Sequence, residues 1–276
     1  MHLRNKHVFM VLFFIIMASV TYLTFSIRHY TKNDTEYKLD FMRKLPGVQN
    51  LSSLTLHREQ GHLYATQNKP ATLLKISAEG DILQSVPLPF ITDAETIEYI
   101  DDNIFAAVDE SSSELFFFTV TADMAIILHN AIQLSSFKKK NRGFEGLAWN
   151  RDEHILYAAK ERKPHGIFTW HLSPDSGSIK SIQLPDFPYR VDVDDISALD
   201  YSSGKLLVLS DESRVLLETV AGATTYTEVL RLTRGYHGLT EDIPQPEGVV
   251  RTPDGSIWIA SEPDLLVRFR PAESGQ

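Results

Sequence analysis

Apolar and polar positions along this chain fall into a unit that occurs five times. Each unit opens on a short phrase: a small or acidic residue, one further residue, then an apolar one. The openings are Ser52-Ser53-Leu54, Glu95-Thr96-Ile97, Glu145-Gly146-Leu147, Ser197-Ala198-Leu199 and Glu247-Gly248-Val249. About ten residues after each comes an apolar run of β type: LYATQN (63–68), IFAAVDE (104–110), LYAAKE (156–161), LLVLSDE (206–212) and IWIASEP (257–263). A period of 40–50 residues built from short strands predicts a β-propeller.

Each unit resolves into further strands. A third run follows a turn rich in Pro, Ser, Asp or Gly: TLLKI (72–76), ELFFFTV (114–120), GIFTWHL (166–172), RVLLETV (214–220) and DLLVRFR (264–270). A fourth closes the first four units: DILQSVPL (81–88), AIILHNAIQL (125–134), SIKSIQL (178–184) and YTEVLRL (226–232). The fifth unit has no fourth run. The segment YKLDFMRKL (37–45) has strand character and no unit of its own. Ring closure solves both problems, because the N-terminal strand completes the last blade and leaves no open edge. The expectation is an all-β, five-bladed propeller over residues 36–276. A β-sandwich also predicts frequent short strands, but neither five matched phrases nor a displaced terminal strand.

The N-terminus changes the picture. Arg4, Lys6 and His7 precede an uncharged run from Val8 to Ile27, closed by Arg28 and His29. As a helix it would span roughly 30 Å, the thickness of a bilayer core. A signal peptide is the competing reading, and it needs a small-x-small cleavage site, of which Ala18-Ser19-Val20 and Thr24-Phe25-Ser26 are poor versions. The preferred division is therefore an uncleaved N-terminal membrane anchor over residues 1–29, whose transmembrane helix is the run 8–27, a tether over 30–35, and the propeller. Flanking charges nearly balance, so the outward orientation of the body rests on the usual topology of single N-terminal anchors.

Formal net charge is −9, and residues 36–276 carry 23 Lys/Arg against 35 Asp/Glu, a net of −12. A body this acidic repels phosphate backbones, which argues against nucleic acid as a partner. The chain has no Cys, so disulfides, thiolate metal sites and a Cys nucleophile are excluded.

Candidate chemistry follows from the repeat. The start of a first strand and the end of its antiparallel second strand lie at one end of a blade. That places Glu95, Glu145 and Glu247 on one rim with Asn68, Asp109, Glu110, Glu161, Asp211, Glu212 and Glu262. Crowded carboxylates repel, and a divalent cation relieves the repulsion. Oxygen-only ligands suit calcium better than magnesium. The candidate metal ligands are Glu95, Glu145, Glu247, Asp109, Asp211 and Glu262, whereas Glu110 and Glu212 read as turn or solvent residues. His237, in the loop YHGLTEDIPQPE (236–247), is a candidate general base on the same rim. Arg142 and Arg190 are candidate contacts for an anionic ligand. The basic loop Lys138-Lys139-Lys140 and the turn residues His57, His154 and His165 read as solvated or structural. There is no phosphate-binding Gly loop, HExxH or GxSxG motif.

Several strings resemble a known family. NRGFEGLAWN (141–150), DDISALDY (194–201) with LLVLSDES (206–213), and DIPQPEGVV (242–250) with IWIASEPDLLVRF (257–269) resemble the SdiA-regulated, YjiK-like proteins of bacteria. The resemblance implies a β-propeller, a bacterial envelope location and a bound calcium, but no reaction. With the N-terminal anchor, it leads to the expectation of an inner-membrane protein whose propeller faces the periplasm and binds a small molecule or protein. Looser similarity to calcium-dependent lactonase and phosphotriesterase propellers suggests a hydrolase as the alternative. A metal-free interaction module is the third reading. Ser52 and Ser197 open two blades where the others have Glu, so the ring is not uniformly acidic.

Overall fold

A computed structural model describes residues 30–33, 35–134, 143–161, 166–175, 178–183 and 191–272. The chain divides into two units, residues 1–31 and 32–276, and the blades described below belong to the second. The expected anchor at 8–27 lies outside the described residues, as do Lys138, Lys139, Lys140, Arg142, His165 and Arg190. Among the described residues, no helix is long and apolar enough to cross a membrane.

The architecture is a five-bladed β-propeller without helices among the described residues. Blade 1 comprises Leu51–His57, His62–Gln67, Thr72–Ile76 and Ile82–Pro87. Blade 2 comprises Ala94–Asp101, Ile104–Asp109, Glu114–Val120 and Ile126–Gln133. Blade 3 comprises Phe144–Asn150, Ile155–Lys160, Gly166–Asp175 and Ser178–Gln183. Blade 4 comprises Ala198–Ser202, Lys205–Ser210, Val215–Thr219 and Thr227–Arg231. Blade 5 comprises Pro246–Arg251, Ile257–Ser261, Leu265–Pro271 and the N-terminal Tyr37–Lys44. The five first strands are neighbours in ring order, and blade 5 returns to blade 1.

Burial follows this layering. Second strands have a blade on either side and are buried on both faces. Their small residues Ala65, Ala107, Ala159 and Ala260 are fully enclosed and let adjacent blades approach. Fourth strands cover one face only, so Ile82–Pro87 and Ile126–Gln133 are largely exposed. The apolar core is a set of layers between blades. One layer joins Leu54, Ala65 and Leu74 of blade 1 to Trp258, Ala260 and Leu266 of blade 5.

Closure occurs where the displaced strand predicted it. Tyr37–Lys44 pairs antiparallel with Leu265–Pro271, from Tyr37 opposite Pro271 to Lys44 opposite Leu265. Asp40 sits at a register shift in this strand and receives Arg268. His237 fastens the same strand. Its Nε2 accepts the Arg231 backbone N–H at 3.1 Å, which leaves Nδ1 as the donor to Tyr37 O at 3.0 Å. The Leu39 backbone N–H donates to His237 O at 2.7 Å.

Candidate functional site

The first strands begin with a repeated irregularity. Pairing with the second strand skips one residue between Leu51 and Ser53, Ala94 and Thr96, Phe144 and Gly146, and Pro246 and Gly248. The skipped residues are Ser52, Glu95, Glu145 and Glu247. A bulge leaves its extra residue out of the ladder and re-aims the side chain. Simple alternation could not say which neighbour faces the channel; the bulge decides it. Gly146 and Gly248 follow two of these bulges. A Cβ on Gly146 would lie 2.9 Å from Leu199 N, and one on Gly248 would lie 2.8 Å from Leu54 N, both backbone atoms of the next blade. Glycine is required there because the first strands converge at the mouth.

The three bulged glutamates face a shared, acid-lined space. Burial pushes the Glu95 carboxyl up to about 8, helped by Asp93, Glu110 and Glu262. Burial pushes Glu247 up to about 9, with Asp211, Glu262, Glu95 and Asp195 adding repulsion. Glu145 is raised well above the usual carboxylate range by burial and by Glu161, Glu247 and Glu95, and it shares a hydrogen bond with Glu161. Burial also raises Asp211 to about 6, with Asp195 contributing, and burial raises Glu262. The charged forms are both desolvated and mutually repelled, so each of these groups keeps its proton to higher pH than an ordinary carboxyl does.

Other predicted residues have different partners. Asp109 is buried and caps its own turn. It accepts from Thr92 N at 3.2 Å, Ser111 N at 3.0 Å and Ser111 Oγ at 2.7 Å. Its carboxylate is therefore occupied by local donors. His237 has both ring nitrogens engaged in ring closure, so neither is available as a base in this arrangement. Ser52 Oγ donates to Asn50 O at 2.9 Å, and Ser197 Oγ donates to Pro246 O at 2.7 Å. The two serine openings thus bond to backbone.

Several residues of the mouth escaped the sequence reading. Asp93 and Asp195 stand two positions before the openings of blades 2 and 4. A polar residue at that offset was a usable signal, since Asn50 and Gln245 match it in blades 1 and 5. Glu110, read as a turn or solvent residue, instead groups with Asp93 and Glu95. One oxygen of each lies within 4.8 Å of the others. Gly143 N donates to Glu110 Oε1 at 3.3 Å, and Lys69 Nζ lies 3.0 Å from Asp93 Oδ1.

Further down, the first strands are latched to one another. The Tyr99 N–H of blade 2 donates to Thr55 Oγ1 of blade 1 at 3.1 Å. Trp149 of blade 3 donates its backbone N–H to Glu98 of blade 2. The Arg251 N–H of blade 5 donates to Asp200 of blade 4 at 3.1 Å. Glu98 also accepts from Thr55 Oγ1 at 2.9 Å, and Arg58 approaches it at 3.7 Å. Burial nevertheless pushes Glu98 up to about 8 and Asp200 up to about 6.

The fold and its mouth define a class: five-bladed propellers whose bulged strand openings gather carboxylates at one end of the channel. Within that class, the chain belongs to the SdiA-regulated family, whose model matches residues 28–270. Solved structures share the fold at low identity. Glutaminyl cyclase of Myxococcus xanthus is 17% identical with a TM-score of 0.58, covering 88% of this chain and 98% of that one. The PQQ-bound aldose sugar dehydrogenase of Streptomyces coelicolor is 11% identical with a TM-score of 0.52, covering 87% and 99%. A chain of a nidogen/laminin complex is 10% identical with a TM-score of 0.50, covering 78% and 73%. Two of these are enzymes and one is part of a protein–protein complex, so the shared fold does not choose between catalysis and binding.

Proposed function

We propose that this protein is a membrane-tethered envelope propeller of the bacterial inner membrane. In this reading it faces the periplasm and binds a small molecule or protein partner at its acidic mouth, with calcium as the binding element. The carrying observation is the convergence of Glu95, Glu145 and Glu247, set by bulges and raised by burial and mutual repulsion. The donor set is all oxygen and acidic, which fits calcium's preference for six to eight loosely arranged oxygens. Glu95, Glu145 and Glu247 would hold the ion, with Asp211 and Glu262 beside them. The ion would neutralise the mouth and present open coordination positions to an oxygen-bearing ligand. The tether rests on the apolar run from Val8 to Ile27.

A calcium-dependent hydrolase needs the same ion plus a group to activate water. His237 is engaged elsewhere, which weighs against that version. The mouth glutamates, raised above the usual carboxylate range by burial, would be its remaining bases.

The test is thermal melting of the full chain in detergent, with calcium or with chelator. Saturation at about 100 times Kd stabilises a folded protein by about 2.7 kcal/mol, which raises the midpoint of a domain this size by roughly 5–10 °C. Equal midpoints in the two conditions would defeat the calcium reading. A panel of lactones, aryl esters and phosphotriesters separates binding from hydrolysis, and calcium-dependent turnover lost in Glu145→Gln would favour the enzyme.

A further inference from the structure

We propose that the outermost strand of blade 2, Ile126–Gln133, is an interface at which two copies of this chain pair edge to edge about a twofold axis. This surface is separate from the mouth and needs no cation.

A propeller closes its ring but leaves the outer strand of each blade with one edge turned outward. An open edge recruits another chain unless something blunts it. Four of the five outer strands are blunted. Blade 1 ends in a six-residue strand closed by Pro87, which has no N–H to offer. The outer strand of blade 3 carries Lys180. That of blade 4 carries Glu228 and Arg231, and the Asn33 N–H donates to Glu228 O at 3.3 Å, so the chain itself takes up part of that edge. That of blade 5 carries four charged residues between Lys38 and Lys44. Blade 2 is the exception. Its outer strand, IILHNAIQ, runs for eight residues with neither a charged residue nor a proline. It pairs inward with Glu114–Val120, and among the described residues no strand pairs with its outer edge. One register shift, at His129, divides the strand and adds no charge; His129 Nε2 lies 2.7 Å from Thr119 Oγ1 of the neighbouring strand.

The side chains point the same way. Ile127 is 51% exposed and Leu128 is 46% exposed. Among the described residues, no other two exposed large apolar side chains are adjacent in the chain. Neighbours along a strand face opposite sides, so this rim offers apolar surface on both of its faces. Covering such surface is favourable.

The charges select a second copy as the occupant. Residues 36–276 carry 23 Lys/Arg against 35 Asp/Glu, so two copies repel each other least where the surface has no charge. A basic partner finds no acid on this strand to pair with. An uncharged strand meets its own copy antiparallel without conflict, and the twofold uses the one edge of each copy, so the contact closes at two. Position suits this as well. Blade 2 adjoins blades 1 and 3, and it is the one blade that adjoins neither blade 4 nor blade 5, where Asn33 and Tyr37–Lys44 lie. A single pair of strands buries less than the roughly 1,600 Å² of a standard interface. Pairing is therefore weak in dilute solution and gains from a shared membrane surface, the one respect in which it rests on the tether proposed above.

The experiment is sedimentation of the full chain in detergent over a concentration series, joined to amide hydrogen exchange. Chelator is present throughout, so the outcome is independent of calcium at the mouth. The wild type should show a reversible monomer–dimer equilibrium, with exchange across residues 126–133 slowed at high concentration. Ile127→Lys combined with Leu128→Lys should weaken the dimer at least about tenfold and leave the melting temperature unchanged, because both side chains are exposed. Each lysine lowers the net negative charge, so lost pairing cannot come from general repulsion. Leu83→Lys, at a comparably exposed leucine of blade 1, should leave the dimer intact. The exchange result needs no variant, which keeps the test decisive if the double variant folds poorly. A wild type that stays monomeric up to its solubility limit would overturn the proposal. So would a dimer that the double variant retains in full, or one that leaves exchange at 126–133 unchanged, since association would then lie at the N-terminal apolar run or another face.

Discussion

The two ends of the channel handle buried charge in opposite ways. At the mouth, acids face acids: Glu247 has Asp211, Glu262, Glu95 and Asp195 as its electrostatic neighbours, and all of them raise it. At the other end, acids face donors. Glu218 accepts from Lys205 Nζ at 2.6 Å and from Arg251 Nη1 at 2.5 Å. Burial pushes its carboxyl up, but these two cations outweigh that and hold it below the usual range. Arg151 of blade 3 reaches Asp101 of blade 2 at 2.7 Å and Glu59 of blade 1 at 3.3 Å, joining three blades. The far end sets cations against Glu218, Asp101 and Glu59, and the mouth is left with a deficit of positive charge. A fold needs only the first kind; the second costs stability, and the proposed cation offsets that cost.

The largest expected effect is at the mouth and has an unusual sign. The Glu247 carboxyl is raised from its ordinary value of 4.5 to about 9. The folded protein therefore binds more protons than the unfolded chain between those values. Its stabilising share is complete below about pH 4.5 and is lost as pH rises through about 9. Glu247→Gln removes that loss. In chelator the variant should match wild type at pH 4.5 and exceed it increasingly above, on the order of 3 kcal/mol at pH 8. Denaturant titrations across this range read the difference. A variant that is less stable than wild type at pH 8 would mean the mouth is not a strained site. Saturating calcium should shrink or reverse the gain, because the ion replaces the protons.

The opposite sign is expected at the far end. Arg251 and Glu218 are 13% and 8% exposed at their side chains, and Arg251→Met leaves Glu218 with Lys205 alone. Breaking a buried pair from one side costs about 3–5 kcal/mol, and the surviving lysine lowers this to about 2. Urea unfolding at pH 7 measures it, and calcium should not restore the loss. A variant as stable as wild type would place the network outside the stabilising contacts and erase the contrast.

Much of this architecture was legible in the chain, because a propeller repeats its instructions. The five phrases, the apolar second strands and the displaced strand at 37–45 each have a direct counterpart in the blades. The common rim of Glu95, Glu145 and Glu247 followed from antiparallel pairing alone. What alternation could not supply was the bulge, since a one-residue skip is a backbone event with no composition of its own. Asp93 was overlooked although its offset from the opening recurs in other blades. The grouping of Glu110 with Asp93 and Glu95, and the approach of Gly143 from the next blade, have no local signal. The partners of His237 had no local signal either: Tyr37 and Arg231 lie 200 and 6 residues away, and only closure of the ring brings the first of them near.

The smallest expected effect concerns the two openings that carry serine. Ser52 Oγ donates to Asn50 O within its own blade, whereas Ser197 Oγ crosses to Pro246 O in the next blade. Pro246 begins the first strand of blade 5, immediately before the bulged Glu247. Ser197 therefore tethers the strand that aims a mouth glutamate, and both its residue and its bond are buried. Losing a buried hydrogen bond of this kind costs about 1 kcal/mol. Ser197→Ala should lower the unfolding free energy by that amount and also weaken calcium binding, because Glu247 loses its support. Ser52→Ala removes a bond between residues two apart and should leave calcium binding unchanged. Equal calcium affinity in the two variants would show that the serine opening of blade 4 is a local cap, and that the mouth glutamates are positioned by their bulges alone.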